Sequence, residues 1–337
     1  MTEFKKFVAI VAEGGTLTEE QSAQAFDIMM RGATSPALMG AFLAVLRIRG
    51  ETVDEITGAA RSMRARALTV DAPAEAVDTC GTGGDAKGTH NISTGAALVA
   101  AGAGLTIAKH GNRSISSKSG SADVLSELGV NLDASADTAC RCIEEAGIGF
   151  LFAPHHHGAM KHVGPVRAEL GLRTIFNLLG PLSNPAGARR QVIGVYHRKW
   201  VAPIARVLGN LDAEHVWVVH GSDGLDELTT TGPTYVAEYK NGDLNEFEVT
   251  PEDADLPRAK PTDLIGGDPA ANADAIRRML EGVVSPLRDI VILNAAAALI
   301  VGGKAATLRE GAAQAAEAID SGAAKARLDM LIELSNS

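Results

Sequence analysis

The sequence contains few cysteines and few aromatic residues, and both shortages narrow the class of protein. Among its 337 residues only Cys80, Cys140 and Cys142 are cysteines, and aromatic residues make up 4%. An odd, sparse set of thiols does not form a disulfide framework and is typical of a reducing compartment, so we predict a cytoplasmic protein. The pair Cys140 and Cys142 has no second pair at metal-ligand spacing, and we interpret both as packing residues.

Long apolar runs and an excess of positive charge are also missing. The longest apolar stretch, at 295–301, is far shorter than the roughly 20 residues that a membrane-spanning helix needs. The apolar stretch at 7–12 has no cleavage-type run after it and does not resemble a signal peptide. The chain has 31 Lys and Arg against 41 Asp and Glu, a formal net charge of −10. We therefore predict no membrane and no nucleic-acid partner, and an anionic ligand would need a local cluster of cations.

The first 70 residues carry the signals of consecutive helices. Helix starts are indicated at Thr18, Ser35 and Thr52. Each of these hydroxyl residues is followed by a capping-box partner or by a proline at the first helical position. The apolar faces of these helices are modest, so we expect them to pack on other parts of the chain or on a second subunit. The segment at about 159–185 has no strand-like run and is the predicted packing partner within the chain.

Strand, loop and helix alternate from residue 73 onward. Strands are predicted at 77–80, 105–109, 149–152, 191–195 and 215–219. A surface hairpin is predicted at 231–250, around Asn241 and Gly242. The sequence thus predicts an α/β fold: a small all-helical N-terminal domain at 1–70, with a contribution from about 159–185, and a large α/β domain at 73–337. Its central sheet should be mostly parallel, with functional loops after the strands.

The first candidate loop is DTCGTGGDAKGTHNIST, at 78–94. Its glycines allow backbone N–H groups to approach phosphate oxygens, and the helix predicted from about Ser93 adds a positive dipole end. It is neither a Walker loop nor the dinucleotide fingerprint. A plain strand–helix turn is the alternative, but acceptor and hydroxyl side chains stand close by, at Asp85, Asn91, Ser93 and Thr94.

The second candidate loop is KHGNRSISSKSGSADVLSELG, at 109–129. Lys109, Arg113 and Lys118 place three cations among several serines, which is typical of a site for a phosphate ester. Each serine is also a common turn or cap residue, and Ser121 is a candidate cap of the following helix. For His110 alone, a structural hydrogen bond is the preferred interpretation.

Two further strings complete the candidate set. Asp226 and Glu227, in HGSDGLDELTTTG, are adjacent carboxylates suited to Mg²⁺, although such pairs also occur in ordinary turns. The string at 152–186 contains three consecutive histidines, which cannot all face one ion from a regular element. In the same string Arg167 and Arg173 are candidate carboxylate binders, and Arg173 is also a candidate helix brace.

The four strings, in this order and spacing, closely resemble the anthranilate phosphoribosyltransferase family, of the nucleoside phosphorylase-like class. The resemblance covers essentially the whole chain, and the combination of GTGGD, KHGNRS with SGSADVL, and GLDEL is highly specific. It implies that 5-phosphoribosyl 1-diphosphate (PRPP) and anthranilate react to give N-(5-phosphoribosyl)anthranilate and pyrophosphate, with Mg²⁺. It also implies the two-domain fold and a homodimer through the helical domain.

The resemblance further implies roles for individual residues. PRPP would be bound by Gly81, Thr82, Gly84, Asp85, Thr89, Asn91, Ser93, Thr94, Lys109 and Ser121. Mg²⁺ would be held by Ser93, Asp226 and Glu227. Anthranilate would meet Gly81, His110, Asn112 and Arg167, with Arg167 facing its carboxylate. We expect displacement at the anomeric carbon, with positioning by His110 rather than a dedicated proton acceptor, because an aryl amine is already a neutral nucleophile.

Two other functions are weighed against this one. A pyrimidine nucleoside phosphorylase-like enzyme would use inorganic phosphate and would not need paired acids for a metal–diphosphate, and the GLDEL and KHGNRS strings argue against it. A non-catalytic, nucleic-acid-binding relative is disfavoured by the net charge of −10.

Overall fold

A computed structural model of the chain describes residues 3–114 and 119–337. Four helices open it: α1 Glu3–Ala12, α2 Glu19–Met30, α3 Pro36–Arg49 and α4 Val53–Arg64. The predicted starts are confirmed, because Thr18 and Thr52 form capping boxes and the Ser35 hydroxyl accepts a hydrogen bond from the Leu38 N–H. Helix α1 precedes the helices that the sequence signals indicate.

Within the same described residues, one seven-stranded sheet follows. Its strands are β1 Val77–Gly81, β2 Ile107–Gly111, β3 Ile148–Phe152, β4 Arg190–Gly194, β5 His215–Gly221, β6 Thr234–Lys240 and β7 Asp243–Val249. In space the order is β3-β2-β1-β4-β5-β6-β7. The first five in this order pair in parallel, and β6 and β7 are antiparallel additions. The mostly parallel sheet is therefore confirmed.

The predicted hairpin turns at Asn241 and Gly242, but it is not a separate surface feature. Strand β6 pairs with β5 over its whole length, and Val236 and Ala237 are fully buried in it. Only β7, at the edge of the sheet, is largely exposed. The hairpin extends the sheet because β6 carries apolar residues to both of its faces.

Helices cover the sheet on both faces. They are α5 Ile92–Gly102, α6 Ser121–Leu128, α7 Ala136–Arg141, α8 Ala153–His156, α9 Gly164–Leu170, α10 Phe176–Leu179, α11 Val201–Asn210, α12 Pro269–Leu280, α13 Pro286–Val301, α14 Leu308–Asp320 and α15 Ala323–Ser335. Short 3-10 turns lie at Gly158–His162, Arg198–Trp200, Pro251–Ala254 and Pro261–Leu264, and a π-helical turn at Cys142–Ala146. Over the ranges just described, none of the helices combines the length and the apolar character of a membrane span.

The alternation of β5 shows how the two faces are used. Trp217 and Val219 point into a core formed with α5 and α13 to α15, whereas Val216 and Val218 point into a second core on the other face. This period of two is what a strand buried on both faces requires. The second core also contains the apolar side chains of α1 to α4, so the N-terminal helices pack through α11 onto the sheet.

The segment predicted to contact the N-terminal helices does so. The Phe176 ring lies 5.5 Å from the Phe26 ring, centroid to centroid. Val163 and Val166 belong to the same core as α2 and α3. Because this segment connects β3, at one edge of the sheet, to the central strand β4, it brings the carboxyl end of β3 and the start of β4 next to the helical part of the chain.

Candidate functional site

The glycine loop after β1 lies directly against the Asp226 carboxylate. The Gly83 N–H donates a hydrogen bond to Asp226 Oδ2 over 2.6 Å. A Cβ atom on Gly81 would stand 2.5 Å from the same oxygen, so a side chain there would displace the carboxylate. Gly83 and Gly84 have φ values of +64° and +76°, a conformation that residues with a side chain rarely adopt. The loop therefore depends on glycine both for its path and for its approach to Asp226.

The second carboxylate, that of Glu227, reaches the N-terminus of α5. Its Oε1 accepts a hydrogen bond from the Ser93 N–H over 3.2 Å. Helix α5 has no side-chain cap at Asn91, so its first N–H groups are available to acceptors from elsewhere. Two loops far apart in sequence, at 81–93 and 221–232, thus meet through two carboxylates. This confirms that both lie together at the carboxyl ends of parallel strands.

The pKa values of both carboxyl groups are raised. For Asp226 the pKa stands well above its usual range, first because of burial and then because of the charges of Asp85 and Glu227. Burial raises the pKa of Glu227 to about 7, although Lys109 and the hydrogen bonds from Ser93 act in the opposite direction. A cation bound between two such groups would offset both their burial and their mutual repulsion.

The donor set fits a hard divalent cation. Carboxylate and hydroxyl oxygens are available from Asp226, Glu227 and Ser93, and Mg²⁺ takes one or two carboxylates and completes its shell with water and phosphate oxygens. No cluster of three or more His, Cys, Asp or Glu suited to a metal occurs within 3–114 and 119–337. A cation held by this pair would complete its coordination shell with the Ser93 hydroxyl, water or phosphate oxygens.

Lys109, on β2, is buried under the same loops. Its Nζ donates a hydrogen bond to the Thr79 carbonyl over 2.5 Å, and the residue is 2% exposed. The neighbouring buried carboxylate of Asp78 accepts hydrogen bonds from the His110 N–H over 3.1 Å and from Asn184 Nδ2 over 2.8 Å. Burial raises the pKa of Asp78, while Lys109 lowers it. These contacts join β1 and β2 beneath the site.

The loop after β2 closes on itself through Asn112. The Asn112 carbonyl accepts hydrogen bonds from the Ser121 hydroxyl over 3.3 Å and from the Ala122 N–H over 3.2 Å. The interpretation of Ser121 as a helix cap is wrong, because the cap is Gly120 and Asp123 accepts the Gly120 N–H over 2.9 Å. The predicted cation Lys118 and the neighbouring serines at 116 and 117 lie outside the described residues.

Three of the residues expected to bind PRPP make different kinds of contact within the protein. Asn91 Oδ1 accepts hydrogen bonds from the Ser119 hydroxyl over 3.0 Å and from Asn272 Nδ2 over 2.9 Å. Thr89 forms an isolated β-bridge with Ile265. The Thr94 hydroxyl is buried on α5 and has no hydrogen-bond partner among the residues that the structure describes. Asn91 is therefore oriented within the protein, while Thr94 retains an unused hydroxyl.

His110 pairs with a second buried histidine. Its Nε2 lies 3.2 Å from Nε2 of His157, and the two rings meet edge to face. Burial, reinforced by neighbouring histidines, lowers the pKa of His110 to about 3 and that of His157 to about 4. Both rings are therefore neutral near pH 7. One of the two facing Nε2 atoms carries a proton and donates it in a hydrogen bond to the other. The structural hydrogen bond expected for His110 is present.

The histidine pair makes stability depend on pH. Because both pKa values are lowered below the ordinary 6.5, the unfolded chain binds protons between about pH 4 and 6.5 that the folded chain does not. This contribution is fully present above pH 6.5 and is lost as the pH falls through about 4 for His157 and about 3 for His110. We expect His157→Gln to reduce the stability lost between pH 7 and pH 5 by about 2 kcal/mol relative to the wild type.

Urea unfolding at the two pH values measures this difference. The exposed His162 provides the control, since His162→Gln should lose as much stability as the wild type. Equal pH dependence in the wild type and both variants would show that His157 is not held neutral by the fold.

Arg167, on α9, is a half-buried cation whose guanidinium forms no hydrogen bond or ion pair within the described residues. Its contact there is with the Phe176 ring, whose centroid lies 5.4 Å from the guanidinium carbon. Burial lowers the pKa of Arg167. A partly desolvated guanidinium stacked on an aromatic ring, with its N–H groups unused, is suited to a carboxylate.

The structure brings together part of the predicted site set and adds residues to it. Direct contacts connect the glycine loop with Asp226, Ser93 with Glu227, and Asn112 with Ser121, whereas Arg167 has no hydrogen bond to the described residues of these loops. Residues that sequence reasoning assigned no role are Asp78, His157, Asn184, Tyr196 and Asn272. Asp78 opens the first string and His157 lies in the fourth, so the motifs themselves point to these two positions. The sequence does not indicate which residues they contact in the folded chain.

Comparisons with known proteins agree on one family. Two family models match: a glycosyl transferase family helical bundle domain over residues 5–67 and a glycosyl transferase family a/b domain over residues 73–325. An anthranilate phosphoribosyltransferase of Rhodopseudomonas palustris (strain BisB5) is 61% identical over 332 residues, covering 98% of either chain. A crystal structure of the enzyme of that name from Thermus thermophilus is 44% identical, with a TM-score of 0.94 and full coverage of both chains.

More distant structures carry ligands. Anthranilate phosphoribosyltransferase from Saccharomyces cerevisiae, in complex with PRPP and Mg, is 26% identical, with a TM-score of 0.90 over 99% of this chain and 98% of that one. The same yeast protein in complex with 4-fluoroanthranilate is 25% identical, with a TM-score of 0.88 over the same shares.

Proposed function

Because the chain belongs to the anthranilate phosphoribosyltransferase family, we infer that it transfers the phosphoribosyl group of PRPP to anthranilate. The products are N-(5-phosphoribosyl)anthranilate and pyrophosphate, and the reaction belongs to tryptophan biosynthesis. The observation that carries this inference is the contact of the Asp226 carboxylate with the glycine loop, beside Glu227 at the N-terminus of α5. That arrangement would place backbone N–H groups suited to phosphate oxygens beside carboxylates suited to a metal ion. The nucleoside phosphorylase-like and nucleic-acid-binding alternatives are not favoured.

We propose that Asp226, Glu227 and the Ser93 hydroxyl hold Mg²⁺. The raised pKa values of the two carboxyl groups support this, since an unbound pair is destabilised by burial and like charge. When bound, Mg²⁺ supplies charge stabilisation for a departing diphosphate. The structure of the yeast relative with PRPP and Mg is consistent with this role.

The PRPP site proposed here follows the two cationic and glycine-rich loops. It comprises Gly81, Thr82, Gly84, Asp85, Thr89, Asn91, Ser93, Thr94, Lys109 and Ser121. Support comes from the path of the glycine loop, from the N-terminus of α5, which the Asn91 side chain does not cap, and from the unused hydroxyl of Thr94. Backbone N–H groups and the Lys109 ammonium would balance the charge of the diphosphate, which the overall charge of −10 does not do.

The anthranilate site proposed here comprises Gly81, His110, Asn112 and Arg167, with Arg167 facing the carboxylate. In the reaction the amine nitrogen bonds to the anomeric carbon, and the bond from that carbon to the diphosphate oxygen breaks, with its electron pair leaving on the diphosphate. The surplus proton of the amine passes to solvent. His110 is held neutral and engaged with His157, so its role is to orient the acceptor.

Product analysis tests the function. Incubation with PRPP, Mg²⁺ and anthranilate should give one equivalent of pyrophosphate and an anthranilate adduct carrying a phosphoribosyl group, detected by mass spectrometry. Pyrimidine nucleosides with inorganic phosphate should release no base. Base release without adduct formation would contradict the proposal and support the phosphorylase-like alternative.

We also propose the domain division predicted from the sequence, 1–70 with a contribution from about 159–185 and then 73–337, together with a homodimer through the helical domain. Ile48, on α3, supports the dimer because this apolar residue is 85% exposed. Light scattering should give a mass of twice the 34.9 kDa of one chain, and the mass of one chain would contradict the dimer. Three free cysteines support a reducing, cytoplasmic setting.

A further inference from the structure

Arg173 contacts the glycine loop. Its guanidinium donates a hydrogen bond to the Gly84 carbonyl and stacks on the Tyr196 ring, with the guanidinium carbon 4.5 Å from the ring centroid. The sequence predicts either a carboxylate binder or a helix brace at this position. In the structure it lies between α9 and α10, outside any helix, and its polar contact is with the loop.

Tyr196, on whose ring Arg173 stacks, also contacts the glycine loop directly. Its N–H donates a hydrogen bond to the Thr82 hydroxyl over 2.9 Å, and the Thr82 N–H donates to the Gly194 carbonyl over 2.9 Å. The Tyr196 hydroxyl in turn accepts a hydrogen bond from Trp200 Nε1 over 3.1 Å. The ring on which Arg173 stacks is therefore fixed at both ends.

The loop needs such a support at Gly84. Gly83 and Gly84 are consecutive residues with positive φ, and glycine is the residue with the most conformational freedom to lose. A peptide plane is rigid, so fixing the Gly84 carbonyl towards Arg173 also fixes the opposite direction of the Asp85 N–H. On the other side of Gly84, the Gly83 N–H is fixed by Asp226. Arg173 and Asp226 thus determine the orientation of two peptide units that flank the Gly83–Gly84 pair.

We propose that Arg173 is a positioning residue for the diphosphate-binding loop, acting on the PRPP side of the reaction through the Gly84 peptide and not on anthranilate. This rests on the proposed function. It assigns the two arginines of the string at 152–186 to different substrates: Arg167 to the acceptor carboxylate and Arg173 to the conformation of the donor loop. The segment that packs on the N-terminal helices thereby also orders the glycine loop.

Steady-state kinetics of Arg173→Ala and Arg173→Lys test the proposal. For Arg173→Ala we expect the KM for PRPP to rise about tenfold or more, since a charge-assisted hydrogen bond is lost, while the KM for anthranilate stays within about twofold. Millimolar guanidinium chloride should restore part of the PRPP affinity of Arg173→Ala. Lysine donates to one carbonyl but does not reproduce the stacked planar fork, so Arg173→Lys should fall between the wild type and alanine.

Arg198→Ala is the matched control. Arg198 also stacks on a tyrosine, with its guanidinium carbon 3.6 Å from the Tyr235 centroid, and has no hydrogen bond to the glycine loop. Its kinetic constants should equal those of the wild type. A rise in the KM for anthranilate as large as that for PRPP, or unchanged constants in Arg173→Ala, would overturn the proposal.

Calorimetric titration of PRPP into each protein separates this proposal from the proposed function. If the wild type binds PRPP and Arg173→Ala binds it about tenfold more weakly, the positioning role stands even when another acceptor proves to be the substrate. Should Arg173→Ala fail to fold, the Arg173→Lys titration decides in the same way. Equal PRPP binding by the wild type and the folded variant would refute the role.

Discussion

Glu227→Gln is expected to lower magnesium-dependent turnover by about a thousandfold or more, and Asp226→Ala combined with Glu227→Ala to abolish it, with the fold intact. The physical reason is that the two carboxylates would be the protein's charged ligands to Mg²⁺, and loss of a preorganised transition-state charge costs several kcal/mol. Initial rates at several Mg²⁺ concentrations measure the effect.

The pKa values provide a second readout for the same variant. Glu227 has its pKa raised to about 7 by burial, so its charged form is disfavoured in the unliganded protein. An amide removes that cost, and Glu227→Gln should unfold at pH 8 at a urea concentration no lower than the wild type does. Unchanged stability with lost activity would separate a metal role from a structural one.

The adjacent exposed acids Glu144 and Glu145 provide the matched control. Their double amide variant removes two carboxylates, as the double alanine variant at Asp226 and Glu227 does, but from the π-helical turn, away from the loops. It should retain wild-type turnover. Full activity of the double alanine variant at Asp226 and Glu227 would contradict the proposal that these carboxylates hold Mg²⁺.

Arg167→Gln is expected to lower kcat/KM for anthranilate by about a hundredfold. The guanidinium is half-buried, stacks on Phe176 and has unused N–H groups, so a bidentate bond to the acceptor carboxylate would be charge-assisted and partly desolvated. Arg167→Lys should recover only a small part of this loss, because an ammonium does not match the two carboxylate oxygens.

Aniline, which lacks the carboxylate, makes the test specific. The wild type and Arg167→Gln should have equally low kcat/KM values for aniline. The loss from removing the guanidinium and the loss from removing the acceptor carboxylate should therefore not add, because both changes remove the same interaction. The exposed Arg278 is the control, and Arg278→Gln should behave as the wild type with both acceptors. An equal loss for anthranilate and aniline would mean that Arg167 does not meet the carboxylate.

Local signals in the sequence predicted most of the elements. The capping boxes at Thr18 and Thr52 and the cap at Ser35 are contacts between residues three apart, and they appear in the structure as predicted. The order of strands and loops likewise placed the glycine loop and Asp226 at the same edge of the sheet. This worked because the carboxyl ends of parallel strands converge.

What sequence reasoning missed are pairs of residues that only the folded chain brings together. His110 and His157 are 47 positions apart, Asp78 and Asn184 are 106 apart, and Thr82 meets Tyr196 across 114 positions. No spacing rule connects such positions. The cap at Gly120 was missed for a different reason: serine is the commoner cap residue, but here the Asp123 carboxylate accepts the Gly120 N–H and the Ser121 hydroxyl bonds to Asn112 instead.

The most direct test of the proposed function is the fluorescence of anthranilate after PRPP is added, with and without Mg²⁺. We expect a rapid loss of fluorescence that requires both PRPP and Mg²⁺, because the amine is consumed only when the diphosphate can leave. A folded protein that leaves the fluorescence unchanged, with Mg²⁺ and PRPP in excess, would contradict the central claim that anthranilate is the phosphoribosyl acceptor.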